Sequence, residues 1–201
     1  MKPKTNRAGD PQTSHPFDQC QTPPYAVAPL VPYLRPDWRI WEPAAGEGLL
    51  VAALLDAGIA EVISTDLLTG QDFFIGCPES WDALVTNPPY SVKYRWLARC
   101  YALGKPFALL MPVETLGAKT AQVLFAAHGV EIIFLDKRVD FKMPNKGWGG
   151  SAAQFPVAWY THGLDIGHPM TFATLHKPNA QRRAELAAGV AQLVMPFGVA
   201  P

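Results

Sequence analysis

The chain has 201 residues, of which 49% are hydrophobic, and its 17 Lys and Arg balance 17 Asp and Glu. This length suits one hydrophobic core, and we find neither an apolar run of eighteen residues nor a signal-peptide pattern, so we expect a cytoplasmic protein without a membrane span. The three cysteines (Cys20, Cys77 and Cys100) form no C-x-x-C pair and the histidines show no metal spacing, so no disulfide framework and no metal site is predicted.

Strand and helix patterns alternate along the chain after a polar start. Residues 1–17 carry no apolar periodicity and are expected to be flexible, whereas residues 18–201 are expected to form one domain. The patterns predict strands at 39–41, 61–65, 81–86, 107–111 and 130–135, and helices at 48–57, at 92–103 and up to His128. The run 153–160 holds Pro156 and predicts an edge strand or one half of a closing hairpin, and 179–194 has helical spacing. This order predicts an α/β fold with a mostly parallel twisted sheet, helices on both faces, and ligands beyond the carboxyl ends of the strands.

The charges are unevenly distributed although they sum to zero. Residues 37–82 contain nine acidic residues and one basic residue, whereas residues 83–146 contain nine basic and four acidic ones. A basic half can follow a phosphate backbone while an acidic half holds a cationic cofactor. Charge clusters are also typical of ordinary solvated faces, so both interpretations stay open at this point.

A turn of small residues, 42–48, joins the first predicted strand to the first predicted helix. Its glycines allow a ligand to approach the backbone, and the N–H groups at the start of a helix can bind a carboxylate. Asp66 ends the next strand twenty residues after Gly46, where a ribose needs a partner for its hydroxyls. The turn lacks a G-x-G-x-x-G pattern, so we do not expect a dinucleotide. Asp72 and Phe73 offer a carboxylate and an aromatic ring to a purine, although a phenylalanine is equally typical of a core.

The most specific segment is Asn87-Pro88-Pro89-Tyr90, directly after a predicted strand. Two prolines stiffen the backbone and remove two N–H groups. The Asn87 side-chain oxygen and the Pro88 carbonyl can then accept both hydrogens of an exocyclic amine such as adenine N6, which needs positioning more than a strong base. Tyr90 can stack on the planar target. The segment predicts amine methylation at this strand end.

These motifs resemble the amino-methyltransferase branch of the class I S-adenosylmethionine-dependent methyltransferases, above all the DNA adenine-N6 enzymes, including small ones from phages and prophages. The match covers about residues 18–160, and its motif order is similar to the γ class. The resemblance implies a Rossmann-like class I methyltransferase fold, S-adenosyl-L-methionine as cofactor, and a bacterial or phage-infected host cell. It implies cofactor contacts from an N-terminal motif, the small-residue turn, a ribose carboxylate and an adenine-binding pair, which are Thr22, Pro23, Tyr25, Glu42, Pro43, Ala44, Gly46, Gly48, Asp66, Leu67, Asp72 and Phe73.

The same resemblance implies catalytic roles for Asn87, Pro88, Pro89 and Tyr90, and a partner that is duplex DNA with a flipped adenine. Substrate contacts are expected from an aromatic residue and from the basic, glycine-rich loop that follows it, namely Phe141, Lys142, Lys146 and Trp148. We expect a monomer or homodimer. No separate target-recognition domain follows, which predicts a short or degenerate target.

Three alternatives remain open from the sequence. Families with the same tetrapeptide methylate adenine N6 in RNA or a glutamine side chain in proteins. A catalytically inactive binding scaffold is a third alternative, against which the intact Asn87, Pro88 and Tyr90 argue. Asparagine at the first motif position disfavours cytosine N4 methylation, because related families more often carry serine there.

Overall fold

Nine strands and three α-helices are formed by the residues that the computed structural model describes, which are 16–143, 147–148 and 155–178. The helices are α1 (Leu49–Asp56), α2 (Lys93–Leu103) and α3 (Lys119–His128). The strands are β1 (Arg39–Glu42), β2 (Glu61–Ser64), β3 (Ala83–Thr86), β4 (Phe107–Pro112), β5 (Glu131–Leu135), β6 (Lys142–Met143), β7 (Gly147–Trp148), β8 (Val157–His162) and β9 (Met170–Ala173). The helix predicted at 179–194 lies outside the described residues, as do residues 1–15 of the expected flexible segment.

Seven of the described strands form one sheet in the order β2-β1-β3-β4-β8-β5-β9. β8 runs antiparallel to its neighbours β4 and β5, and all other neighbouring strands in the sheet are parallel. β6 and β7 form a separate antiparallel pair. The predicted mostly parallel α/β sheet is therefore confirmed, with element ends that differ from the prediction by one or two residues, except that β8 begins four residues after the predicted start and that no strand was predicted at β9.

The prediction of an edge strand at 153–160 is wrong. β8 lies in the interior of the sheet, paired on both sides, and five of its six residues are buried. Pro156 comes just before the strand, so it removes no N–H from the ladder, and its carbonyl accepts from Val113 N at 3.0 Å. A proline predicts an edge only when it stands inside a strand, and here it stands at the entrance.

Each face of the sheet carries its own hydrophobic core, because alternate residues of a strand point to opposite faces. Val85 and Leu110 belong to the core beneath α1 and the segment 24–34, whereas Leu84 and Leu109 belong to the core beneath α2 and α3. Strands covered on both sides read as continuous apolar runs, as β4 does with all six residues buried. None of the helices in the described part of the chain is long and apolar enough to cross a membrane.

Candidate functional site

The carboxyl ends of β1, β2 and β3 meet at one edge of the sheet, because these strands are parallel neighbours. Glu42 is the last residue of β1, Asp66 follows β2 by two residues, and Asn87 follows β3 directly. The turn after β1 is tied to the end of β2 by hydrogen bonds from Ala45 N to Thr65 O at 3.1 Å and from Thr65 N to Glu42 O at 2.9 Å. Sequence motifs separated by more than forty residues thus form one site.

The small-residue turn has the backbone conformation that only glycine adopts easily. Gly46 and Gly48 have φ angles of +51° and +80°. Asp66 supports this turn, since its Oδ2 accepts from Gly46 N at 2.9 Å and its Oδ1 accepts from Leu68 N at 2.8 Å. The glycine turn and the predicted ribose carboxylate are therefore in direct contact. Leu67, the neighbouring predicted cofactor residue, is 52% exposed.

Glu42 is a buried carboxyl group at the base of the turn. It is 1% exposed, and its Oε1 accepts from Ala44 N at 2.9 Å and from Thr86 Oγ1 at 2.5 Å. Burial raises the pKa of Glu42 to about 8, and the charge of Asp66 adds to that rise, against the lowering effect of the two hydrogen bonds. A cation bound beside these two acids would favour the ionised form of Glu42.

The tetrapeptide after β3 holds an unusual set of buried polar atoms. Asn87 Nδ2 donates to Cys20 O at 3.3 Å, whereas Asn87 Oδ1 is buried and has no donor among the described residues. Tyr90 Oη is likewise buried without a hydrogen-bond partner in the described part of the chain, and burial raises the pKa of this phenol well above its usual value. Pro88 is buried, and the Tyr90 ring packs edge-on against Phe155 at 5.8 Å between centroids.

An N-terminal segment, residues 18–25, lies across the site and joins its parts. Asp18 accepts from Ser91 N at 3.0 Å and from Ser91 Oγ at 2.6 Å, just after the tetrapeptide. Gln21 Oε1 accepts from Glu47 N at 2.9 Å in the glycine turn. Thr22 is 3% exposed, and its Oγ1 is a further buried atom without a partner among the described residues. The predicted N-terminal motif is therefore next to the glycine turn and the tetrapeptide.

Two aromatic residues of the predicted site are core residues. Phe73 is 3% exposed, with its ring stacked on Trp96 at 4.0 Å between centroids and the Arg99 guanidinium 5.2 Å from its centroid. Phe141 is also 3% exposed and belongs to the core beneath α1. Other side chains cover both rings in this structure, and the expectations that the Phe73 ring contacts a purine and that Phe141 contacts a flipped base stay predictions. Asp72 remains partly exposed and its Oδ1 accepts from Phe74 N at 2.8 Å.

The predicted basic loop is only partly described. Lys142 pairs with Glu47 of the glycine turn, and its backbone N and O bond to Gln21 O and N at 3.0 and 2.9 Å. The Lys142 ammonium therefore lies beside the cofactor turn, and its expected contact with DNA stays a prediction. Lys146 lies outside the described residues, and only the backbone of Trp148 is described, in β7.

Sequence patterns gave no signal for the residues that join the motifs. Asp18, Cys20 and Gln21 contact partners 73, 67 and 26 residues away, and Thr86 reaches Glu42 across 44 residues. Each is an ordinary polar residue in its own segment. Only the strand order brings them to the edge where the other motifs lie.

No family model matches the chain, and no curated protein matches it in sequence. Among solved structures it is similar to the methyltransferase subunit of a type I restriction-modification system from Streptococcus thermophilus, with a TM-score of 0.53 and 10% identity over 90% of this chain and 56% of that one. It is also similar to the 23S rRNA methyltransferase ErmE (TM-score 0.47, 17% identity, 85% and 74% covered) and to an S-adenosylmethionine-dependent O-methyltransferase from Thermotoga maritima (0.44, 14%, 79% and 68%). The chain spans little more than half the length of the first of these, and its fold is the Rossmann-like class I methyltransferase fold.

Proposed function

We propose that the chain is an S-adenosylmethionine-dependent methyltransferase that modifies the N6 amine of adenine in DNA. The observation that carries this proposal is Asn87 Oδ1, a buried acceptor with no donor in the described residues, at the strand end beside the glycine turn. Leaving a buried acceptor unpaired costs about 1–3 kcal/mol. Such a cost is understandable where the missing donor is a substrate amine.

The residues around the glycine turn fit the proposed cofactor. Gly46 and Gly48 leave the turn without side chains, and Thr22 Oγ1 is a buried group that can bond to the amino-acid part. Asp66 lies beside the turn, where a ribose requires an acceptor. When bound, S-adenosylmethionine supplies an electrophilic methyl group on a positively charged sulfur. Asp66 provides negative charge beside the turn, and a bound cation would favour the ionised form of Glu42, which adds to that charge.

The tetrapeptide then needs to position the amine rather than deprotonate it. Asn87 Oδ1 and the Pro88 carbonyl accept the two hydrogens of the adenine N6 amine, which favours a more tetrahedral nitrogen with its lone pair available. The raised pKa of Tyr90 keeps its phenol neutral, so it can donate a hydrogen bond but does not act as a base at neutral pH. A base taken out of a duplex commonly stacks on an aromatic ring, and Tyr90 is the aromatic residue of this segment.

Exposed basic residues follow several strand ends on the same edge of the sheet. Arg95 comes after β3, Lys119 after β4 and Arg138 after β5, and all three are exposed. Because the carboxyl ends of β3, β4 and β5 point the same way, these cations follow strand ends on the same side of the sheet as the site. This placement supports a polyanionic substrate over a protein glutamine.

The test is incubation of the full chain with methyl-labelled S-adenosylmethionine and, separately, duplex DNA, single-stranded DNA, tRNA and protein. Nucleoside mass spectrometry should find N6-methyladenine in DNA. Asn87→Ala should lower the methylation rate by about 10²-fold or more, because one positioned acceptor is lost. Calorimetry should find its cofactor affinity nearly unchanged, since Asn87 faces the amine.

Asn87→Asp is the comparison variant, because aspartate keeps the acceptor oxygens, although it adds a negative charge and places an oxygen against Cys20 O in place of the Nδ2 donor. It should retain more activity than Asn87→Ala. Methyl transfer only to tRNA or only to protein would reject DNA as the substrate. Wild-type rates in Asn87→Ala would reject the catalytic role of the tetrapeptide.

A further inference from the structure

Two buried polar side chains join the ends of β1 and β3. Thr86, the last residue of β3, is fully buried, and its hydroxyl donates to Glu42 Oε1 at 2.5 Å. The same oxygen accepts from Ala44 N in the glycine turn at 2.9 Å. One carboxyl oxygen therefore contacts both the turn and the residue that precedes Asn87.

The backbone does not make this connection by itself. β1 and β3 pair at Ile40 with Ala83 and at Trp41 with Leu84, and this pairing stops before the last residue of either strand. Beyond that point, the Thr86–Glu42 hydrogen bond connects the two strand ends. Burying a carboxyl group and a hydroxyl here is more costly than burying an apolar pair, so a role beyond packing is expected.

We propose that Thr86 is a positioning residue, which through Glu42 fixes Asn87 at a defined distance from the glycine turn. The inference rests on the proposed function, because it assigns the acceptor to Asn87 and the cofactor to the turn. Transfer between two bound groups requires alignment, and a displacement of about 1 Å can lower a rate by about 10²-fold. Thr86 meets neither substrate nor cofactor in this role, and acts by holding the two binding segments together.

Glu42 extends the same connection to the end of β2. Its carbonyl accepts from Thr65 N at 2.9 Å, and Thr65 precedes Asp66, which holds Gly46 N. Thr86 thus connects the tetrapeptide to a carboxyl group that also orients the turn and the predicted ribose carboxylate. Loss of its hydroxyl should alter the geometry between the two segments more than the affinity of either.

The test compares Thr86→Val, which removes the hydroxyl at nearly constant shape, with Thr86→Ser, which keeps it. Thr161→Val is the control, because Thr161 is also fully buried, donates to Glu131 O at 3.1 Å, and lies where β8 pairs with the amino ends of β4 and β5, away from the site. Thr86→Val should lower kcat by about 10-fold to 100-fold, the size expected for a misalignment of up to about 1 Å, with KM for DNA within about threefold of wild type. Thr86→Ser should restore kcat to within about threefold, and Thr161→Val should leave it unchanged.

The pH dependence of cofactor binding provides a second measurement that a merely structural role would not change. Affinity for a cation should rise as Glu42 ionises, and Asp66 is the other charged group that acts on this titration. The Thr86 hydrogen bond lowers the pKa of Glu42, so its removal should move the midpoint to higher pH. Thr161→Val should not move it.

The outcomes separate the two proposals. A wild-type chain that binds S-adenosylmethionine but methylates no DNA, together with a raised midpoint in Thr86→Val, rejects the substrate and retains the role of Thr86. Active Thr86→Val with wild-type kcat and an unmoved midpoint overturns the role of Thr86 alone. Absence of cofactor binding by the wild-type chain overturns both. If Thr86→Val fails to fold, Thr86→Ala serves as the hydroxyl-free variant, judged by the same two measurements.

Discussion

Replacing Gly46 with alanine separates the binding role of the glycine turn from its conformational role. Gly46 has φ +51°, and a Cβ placed there would lie 2.7 Å from Gln21 Oε1, too close for a real contact. Gly104 has a similar φ of +67° at the end of α2, with nothing within 4 Å of its Cβ position. A left-handed alanine costs about 1–2 kcal/mol, so both variants should lose similar stability, or about 2–4 °C in Tm for each kcal/mol.

Only Gly46→Ala should also lose cofactor affinity. The new methyl group displaces the Gln21 amide, whose Oε1 accepts from Glu47 N at 2.9 Å and so holds the same turn. A neutral hydrogen bond contributes about 0.5–1.5 kcal/mol, which corresponds to a Kd for S-adenosylmethionine that is about twofold to tenfold higher. Calorimetry on both variants gives the answer, after thermal unfolding has shown that both fold. Equal Kd values for Gly46→Ala and Gly104→Ala would refute this account of the turn.

Three further predictions concern the same edge of the sheet. Asp66→Ala should weaken S-adenosylmethionine binding by about 1.5–3 kcal/mol in calorimetry. The control Asp82→Ala should leave that binding unchanged, because the Asp82 carboxylate accepts from Arg39 N at the amino end of β1. Lys142→Met and Glu47→Gln should both weaken cofactor binding, because each breaks the ion pair beside the glycine turn, and Glu47→Gln should weaken it more, because it also removes a negative charge near the cationic cofactor. Lys119→Met should leave that Kd unchanged and reduce the salt slope of DNA binding by about one. Sequencing of N6-methyladenine on a plasmid should reveal a short or degenerate target, because few residues are left to read base edges, and DNA binding should be lost at high salt. One fully methylated site of about six or more fixed bases would contradict this expectation.

The sheet could be predicted from the sequence because its signals are local. Strands buried on both faces read as apolar runs, and Gly104 follows the last residue of α2 in the left-handed conformation that ends a helix. The position of β8 could not be predicted in this way. Strand order depends on which edges meet in three dimensions, and the 157–162 segment carries no local feature that distinguishes an interior antiparallel strand from a hairpin.

The site residues also fall into those that local sequence could predict and those that it could not. The glycine turn and the tetrapeptide are readable because their function requires a backbone conformation that glycine and proline encode. An aromatic side chain carries no such information. The Phe73 ring could meet a purine or Trp96, and the choice depends on a helix that begins twenty residues later. The roles of Gln21 and Thr86 could not be predicted for a related reason, because their hydrogen-bond partners are distant in sequence.

The strand order also explains how a chain of zero net charge can offer two opposite electrostatic environments. The acidic part of the sequence, residues 37–82, contains β1 and β2, so Glu42 and Asp66 lie together at one end of the carboxyl edge. The basic part follows β3, β4 and β5, so Arg95, Lys119 and Arg138 lie further along that edge. Separation of charge along the sequence thus becomes separation along one edge, with acids at the proposed cation site and bases at the proposed polyanion site. The net charge of the chain sums the acidic and basic groups to zero. For binding, the positions of these groups along the sheet matter more than their sum.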